Sequence, residues 1–188
     1  VEYDLLGRTA VINQVYTSII ASGSENQSYV ISLEGDWGSG KTTIINNIKR
    51  IIKENMQGKI VVNDFDPWLF GTQEALLSAM YDIILKSTGI RYSMSKRRHF
   101  QDSVSEIAVN VPKIGGMLQG ILKEKKDSYE LVQEIKKQIT SLLSKSEKTF
   151  VFFIDNVDRA EADNIVFLFK LIGTLFNFPH VVYVLSYE

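Results

Sequence analysis

The sequence predicts an α/β fold in which a mainly parallel sheet lies between two layers of helices. Two observations predict it. Short β-rich runs alternate with segments whose apolar residues have helical spacing, and one late run is apolar at nearly every position. Such a run is typical of a strand buried on both faces of a parallel sheet. Because ligands bind these sheets at the carboxyl ends of the strands, the residues that follow each strand are the candidates for function.

Strands and helices are expected to alternate along most of the chain. The predicted strands cover residues 29–33, 60–65, 149–154 and 180–185. Apolar residues three and four positions apart predict helices at residues 10–20, 41–52, 75–85, 128–143 and 165–176. Residues 88–127 show no clear pattern, and we expect an insertion or a mobile segment there.

Composition excludes several kinds of functional site. The 188 residues fit one domain, 45% of them are hydrophobic, and the net charge of -1 shows no basic field for nucleic acid or membrane. The absence of cysteine excludes disulfides, Cys-ligated zinc, iron–sulfur clusters and thiol nucleophiles. The two histidines, His99 and His180, are far apart, so any metal is expected to be Mg²⁺ on oxygen ligands. No run approaches the ~20 apolar residues of a membrane helix, and we expect a cytoplasmic protein.

A phosphate-binding loop follows the first predicted strand. Residues 35–42 match G-x-x-x-x-G-K-[ST] in full, between a predicted strand and a predicted helix. Its glycines allow the backbone to curl with amides pointing inward, and the helix N-terminus adds to this anion site. Lys41 can reach the β and γ phosphates, and the Thr42 hydroxyl can ligate Mg²⁺. The predicted nucleotide-binding residues are Gly35, Asp36, Trp37, Gly38, Ser39, Gly40, Lys41, Thr42, Thr43 and Ser186.

A carboxylate for the metal follows the buried strand at residues 149–154. Asp155 is expected at the carboxyl end of that strand, in Walker B form, where it would hold Mg²⁺ together with Thr42. We therefore predict Lys41 and Asp155 as catalytic residues. The expected cofactors are ATP and Mg²⁺.

The residues after Asp155 leave several roles open. Asn156 stands where many such ATPases have a second carboxylate, and an amide can orient water but cannot accept its proton. Asp158 either acts directly in catalysis or caps the following helix. Arg159 either pairs with Asp158 or reaches the γ-phosphate of a neighbouring subunit. Ser186 either senses the γ-phosphate or is simply a polar surface residue.

The chain resembles the KAP family of P-loop NTPases over nearly its whole length. The resemblance rests on residues 6–8, on a Trp-containing P-loop at 34–42, on 65–70 against F-N-x-W, on 154–159 against D-D-L-D-R and on 182–188 against V-x-V-L-A-Y-D. It implies a three-layer P-loop NTPase sandwich of the ASCE class over residues 1–188, related to AAA+ and STAND ATPases. The implied strand order is 5-1-4-3-2, with 1-4-3-2 visible and the fifth strand beyond the chain end. Asp66, Asn156 and Glu188 depart from the family's pattern.

The sequence is compatible with two functions. One is an ATPase switch, expected to form a homo-oligomer and to drive an effector domain or partner, with a role in anti-phage defence implied by the resemblance. The other is a nucleotide-gated scaffold with little hydrolysis, for which Asn156 is the reason. The absence of N-K-x-D disfavours guanine, and no acceptor carboxylate or lid arginine indicates a small-molecule kinase. Trp68 is either a core anchor or a base-stacking residue, and the basic residues 96–99 are either a solvated loop or a contact for nucleic acid.

Overall fold

A parallel sheet forms the middle layer of the structure. The computed structural model describes residues 7–89 and 126–188. Within them the sheet has the order β1-β4-β3-β2, and each neighbouring pair is parallel. This confirms the predicted α/β fold and the order 1-4-3-2. The strands are β1 (Tyr29–Glu34), β2 (Ile60–Phe65), β3 (Thr149–Ile154) and β4 (Val181–Tyr187).

The two central strands, β3 and β4, are apolar because they pack against helices on both faces. Phe152 of β3 and Tyr183 of β4 contribute to one hydrophobic cluster, with their rings 5.4 Å apart. Phe153 and Val184, one position further along each strand, contribute to a second cluster on the opposite face. This alternation is what a strand with two buried faces requires.

Helices complete the two outer layers. On one face α1 (Thr9–Ser22) and α2 (Lys41–Asn55) place isoleucine-rich stripes against the sheet. On the other face lie α3 (Gln73–Thr88), α4 (Lys126–Lys145) and α5 (Ala162–Gly173). The two central strands are thus covered on both faces, while most residues of the edge strands β1 and β2 are exposed or only partly buried.

The helix predicted at residues 165–176 has different bounds in the structure. It begins at Ala162 and ends at Gly173, because Thr174 has φ −124° and ψ −80° and leaves the helical path. Phe176 continues the apolar pattern from the turn that follows, where its amide donates to the carbonyl of Leu171 (2.8 Å) and its ring is buried. Periodicity alone could not separate this buried turn from the helix.

Two short 3₁₀ turns shape the carboxyl edge of the sheet. Pro67–Leu69 follows β2, and Val157–Arg159 follows β3. Pro67 and Val157 are buried and hold both turns against the sheet. Each turn therefore gives the preceding strand-end residue a defined direction.

Several predictions concern parts of the chain that are only partly described. Most of the segment predicted at 88–127 and the whole basic patch at 96–99 lie outside the described residues, so both stay predictions. In residues 7–89 and 126–188, no helix is both long enough and apolar enough to cross a membrane.

A buried hydroxyl in the core provides a test of the packing. The Tyr183 hydroxyl donates to the carbonyl oxygen of Phe176 (2.9 Å), and complete burial raises the pKa of Tyr183, so the phenol stays neutral. Tyr183→Phe leaves that carbonyl without its donor, and we expect a loss of about 1–2 kcal/mol in the free energy of unfolding. Urea denaturation measures it. Tyr29→Phe, at a half-exposed position, is the control and should have almost no effect; equal losses in both variants would contradict the assignment.

Candidate functional site

The loop after β1 has the backbone geometry of an anion site. The Gly35 amide donates to the carbonyl of Tyr187 (3.3 Å), which extends the pairing of β1 with β4, and the Ser39 amide donates to the carbonyl of Asp36 (3.1 Å). Gly38 and Gly40 have φ of 76° and 85°, a region that is costly for residues with a Cβ. Gly40 is the N-cap of α2. The unpaired amides of the first helical turn therefore face the loop, as an anion requires.

Lys41 lies across this loop. Its ammonium group donates to the carbonyl oxygens of Gly35 and of Asp36, the latter at 3.0 Å. These contacts hold the positive charge over the curl of the backbone. A phosphate in the loop would find the charge already in place.

Asp155 connects three elements at the carboxyl edge of the sheet. Its Oδ2 accepts a hydrogen bond from Thr42 Oγ1 (2.8 Å) at the start of α2. Its Oδ1 accepts from Ser186 Oγ at the end of β4 (2.6 Å) and from the Asn156 amide (3.0 Å). Since both carboxylate oxygens are held, the group has one orientation, which faces the loop.

The Thr42–Asp155 pair fits an Mg²⁺ ion. Both groups offer hard oxygen ligands, and their oxygens are 2.8 Å apart. Neighbouring ligands of an octahedral Mg²⁺, each bound at about 2.1 Å, are separated by roughly 3 Å. The two residues can therefore hold adjacent positions on one ion with little movement, and bound phosphate and water would supply the rest.

Ser186 is fully buried in β4 and donates to Asp155. Its interpretation as a surface residue is therefore wrong. The hydroxyl orients the carboxylate and also lines the cleft described below. Its role towards the γ-phosphate stays a prediction.

The residues after Asp155 form the rim of the site. Asn156 has φ 56° and donates from Nδ2 to Asp66 Oδ1 (3.1 Å), at the end of β2. Asp158 and Arg159 are exposed in the following 3₁₀ turn. Asp158 is not the N-cap of α5, since Glu161 occupies that position. Within residues 7–89 and 126–188, no ion pair joins Asp158 to Arg159.

Most of the predicted site residues line one cleft of about 260 Å³. Gly35, Asp36, Ser39 and Thr43 lie in the same loop and first turn but do not line it. The catalytic roles predicted for the lining residues stay predictions. Those residues are Trp37, Gly38, Gly40, Lys41, Thr42, Asp155, Asn156, Asp158, Arg159 and Ser186.

The two tryptophans differ in their relation to the cleft. Trp37 lines it and is 75% exposed, so a nucleotide or a partner can reach the indole. Trp68 is 46% exposed and belongs to neither hydrophobic cluster. Its interpretation as a core anchor is therefore wrong. The neighbouring Pro67 is the buried residue of this turn. Base stacking by Trp68 stays a prediction.

Sequence reasoning did not include two residues that contact the site. Arg8 Nη1 donates to the Gly40 carbonyl (3.3 Å) and supports the loop from the start of α1. Asp66 contacts Asn156 as described above. Both positions belong to segments that carry the family resemblance, and this resemblance was the signal in the sequence that could have identified them. The contacts themselves join residues 32 and 90 positions apart, so no local pattern predicts them.

Comparison with known proteins gives a family match over most of the chain. Residues 8–188 match the model of the KAP family P-loop domain. The chain is 25% identical over 191 residues to the phage T7 exclusion protein of Escherichia coli strain K12, a match that spans 86% of this chain and 26% of that protein. The chain thus spans only a small part of that relative's length.

Solved structures that align with this chain include the ORC2 protein of Aeropyrum pernix. The form with ADPNP and ADP aligns over 97% of this chain and 40% of its own, at 13% identity and a TM-score of 0.46. The ADP form aligns over 97% and 41%, at 11% identity and a TM-score of 0.44. The family match covers residues 8–188, which include the loop, the cleft and the strand ends. This chain therefore belongs to the KAP family of P-loop NTPase domains.

Proposed function

We propose that this domain binds ATP with Mg²⁺ and hydrolyses it slowly, as a nucleotide-driven switch within a larger protein. The observation that carries the proposal is the contact of Thr42 with Asp155, held by Ser186 beside a phosphate-binding loop. The contact brings the metal ligands and the anion site together at one edge of the sheet. Adenine is the expected base by exclusion, since the sequence has no N-K-x-D motif.

Each group has a defined task in the proposed reaction. The loop amides and Lys41 bind the phosphates, and Thr42 with Asp155 would hold the ion. When bound, Mg²⁺ neutralises charge on the phosphate oxygens. The oxygen of a water molecule forms a bond to the γ-phosphorus, and the bond to the bridging oxygen breaks with its electron pair leaving on ADP. The water proton leaves on the released phosphate, because Asn156 cannot accept it.

Binding is tested by calorimetry with Mg²⁺ and ATP. Lys41→Ala removes the ammonium that lies over the loop, and we expect ATP affinity to fall about tenfold or more, as for a lost charge-assisted contact. Lys53→Ala, at an exposed position near the end of α2, is the matched control and should bind like wild type. Equal affinities of wild type and Lys41→Ala would contradict the site.

A nucleotide-gated scaffold with little hydrolysis is the second candidate function. The observation that favours it is Asn156, an amide at the strand end where a proton acceptor is common in such ATPases. Phosphate release separates the two functions: a wild-type rate above that of Lys41→Ala supports hydrolysis, and an equal rate with intact ATP binding supports the scaffold. In the second case Asn156→Glu should raise the rate.

The wider role is also a proposal. Arg159 is exposed at the rim of the cleft and makes no ion pair among the described residues. It is therefore available to reach the γ-phosphate of a second copy in a homo-oligomer. The likeness to the phage T7 exclusion protein supports a role in anti-phage defence. The proposed location is the cytoplasm, and the proposed effector is a fused domain or a partner protein. ATP-dependent assembly that is lost in Arg159→Ala, measured by light scattering, tests the oligomer.

A further inference from the structure

The contact between Asp66 and Asn156 joins the ends of two neighbouring strands. Phe65, the last residue of β2, is paired with Ile154, the last residue of β3. The amide of Asp155 donates to the Phe65 carbonyl (3.2 Å), which continues this pairing by one position. Beyond it, Asn156 Nδ2 donates to Asp66 Oδ1 (3.1 Å). The two side chains are therefore brought together by backbone pairing.

This contact determines which way the amide of Asn156 faces. A carboxylate has only acceptors, so the NH₂ group of Asn156 must point at Asp66 and the carbonyl Oδ1 must point away from it. The backbone of Asn156 is also held, since its N–H donates to Asp155 Oδ1 (3.0 Å). Among the described residues no donor reaches Asn156 Oδ1, and Asn156 lines the cleft. An acceptor of fixed orientation is thus left free on a residue that lines the cleft.

We propose that Asp66 is a positioning residue for hydrolysis, which fixes the Asn156 amide so that its Oδ1 accepts a hydrogen bond from the attacking water. The inference rests on the proposed ATP hydrolysis and adds a residue to it. Asn156 only orients the water: the oxygen–phosphorus bond forms, the bridging bond breaks towards ADP, and the proton leaves on phosphate. Asp66 acts through Asn156 and need not touch the nucleotide.

The sequence contains a second indication of the same pairing. Asp66 replaces the Asn of F-N-x-W, and Asn156 replaces the second Asp of D-D-L-D-R. These two side chains contact each other through one hydrogen bond. Relative to the family pattern, the acid and the amide have therefore exchanged places within one contacting pair. The pair keeps one carboxylate and one amide.

The test measures kcat at saturating ATP in four proteins: wild type, Asp66→Asn, Asn156→Asp and the double variant. In wild type, Asp66→Asn replaces an acceptor by a group that can pair with either orientation of the Asn156 amide. We expect kcat to fall roughly tenfold, since misplacement of a reacting group is costly, with the Kd for ATP unchanged. In the Asn156→Asp background, Asp66→Asn removes one of two facing carboxylates and restores a complementary pair. The same substitution should then raise kcat.

If Asp66 acts through Asn156, the effect of Asp66→Asn on kcat depends on the residue at position 156, and its sign reverses in the Asn156→Asp background. If the two residues acted independently, Asp66→Asn would change kcat by the same factor in both backgrounds. Asp64→Asn is the matched control: it removes a carboxylate from β2 that is exposed and ion-paired with Lys49, and kcat should stay within about twofold, as for other surface changes. An unchanged kcat in Asp66→Asn, or a fall of the same size in both backgrounds, overturns the inference alone. Loss of ATP binding in Asp66→Asn also overturns it.

The proposed function fails in a different way. If wild type gives no calorimetric signal with ATP, the proposed nucleotide site is wrong. If wild type binds ATP but releases phosphate no faster than Lys41→Ala, the proposed hydrolysis is wrong. The proposed role of Asp66 then has no reaction to act on. Measuring wild-type binding and turnover before the four-protein comparison therefore separates these results from a failure of the inference.

Discussion

Asp155→Asn is expected to lower ATP turnover about a hundredfold, the effect of removing roughly 3 kcal/mol of metal-dependent stabilisation of the transition state. The amide oxygen of the new side chain can still accept from Ser186 and from the Asn156 N–H, the two donors to Oδ1. The NH₂ group then faces Thr42 in place of Oδ2 and donates to the hydroxyl oxygen, which reverses the direction of that hydrogen bond. The hydrogen bonds of the site are kept, and the carboxylate ligand for Mg²⁺ is lost.

The measurement is phosphate release over a range of Mg²⁺ concentrations. Asp155→Asn should require more Mg²⁺ and remain slow at saturation, while its thermal midpoint stays near that of wild type. Asp163→Asn, an exposed carboxylate in the first turn of α5, is the control and should match wild type. A variant Asp155→Asn with wild-type turnover would show that the metal is held elsewhere.

Gly40→Ala is expected to weaken ATP binding about a hundredfold, which corresponds to roughly 3 kcal/mol. Gly40 has φ 85°, and a Cβ there would lie 1.8 Å from Arg8 Nη1. The substitution therefore combines backbone strain of about 1–2 kcal/mol with displacement of the Arg8 guanidinium. Both changes occur at the N-cap of α2, where the loop amides are directed at the phosphates.

A second glycine of similar φ is the control for backbone strain outside the loop. Gly58 has φ 83°, but a Cβ there would meet nothing within 4 Å, and it does not line the cleft. Gly58→Ala should lower the free energy of unfolding through strain alone and leave ATP affinity unchanged by calorimetry. If Gly40→Ala binds ATP as well as Gly58→Ala does, the loop does not depend on the close approach of Arg8.

The main fold could be predicted because its signals are local. Apolar runs and helical spacing predicted β1 to β4 and the five helices, and the glycine spacing of residues 35–42 predicted the phosphate loop. The end of α5 could not be located from the pattern, because Phe176 is buried from a turn as it would be from a helix. Local sequence patterns indicate which residues are buried and which backbone conformation they favour. They do not show whether a buried side chain belongs to a helix or to the turn that follows it.

By itself, the sequence determined the class of fold, the phosphate loop and the strand-end position of Asp155. Only the tertiary structure decided how the side chains at those ends meet. Thr42 reaches Asp155 across 113 positions, and Asn156 reaches Asp66 across 90. The burial of Ser186 also depends on the central place of β4 in the sheet. Such contacts follow from strand order and register, which bring distant residues together at one edge and have no counterpart in local composition.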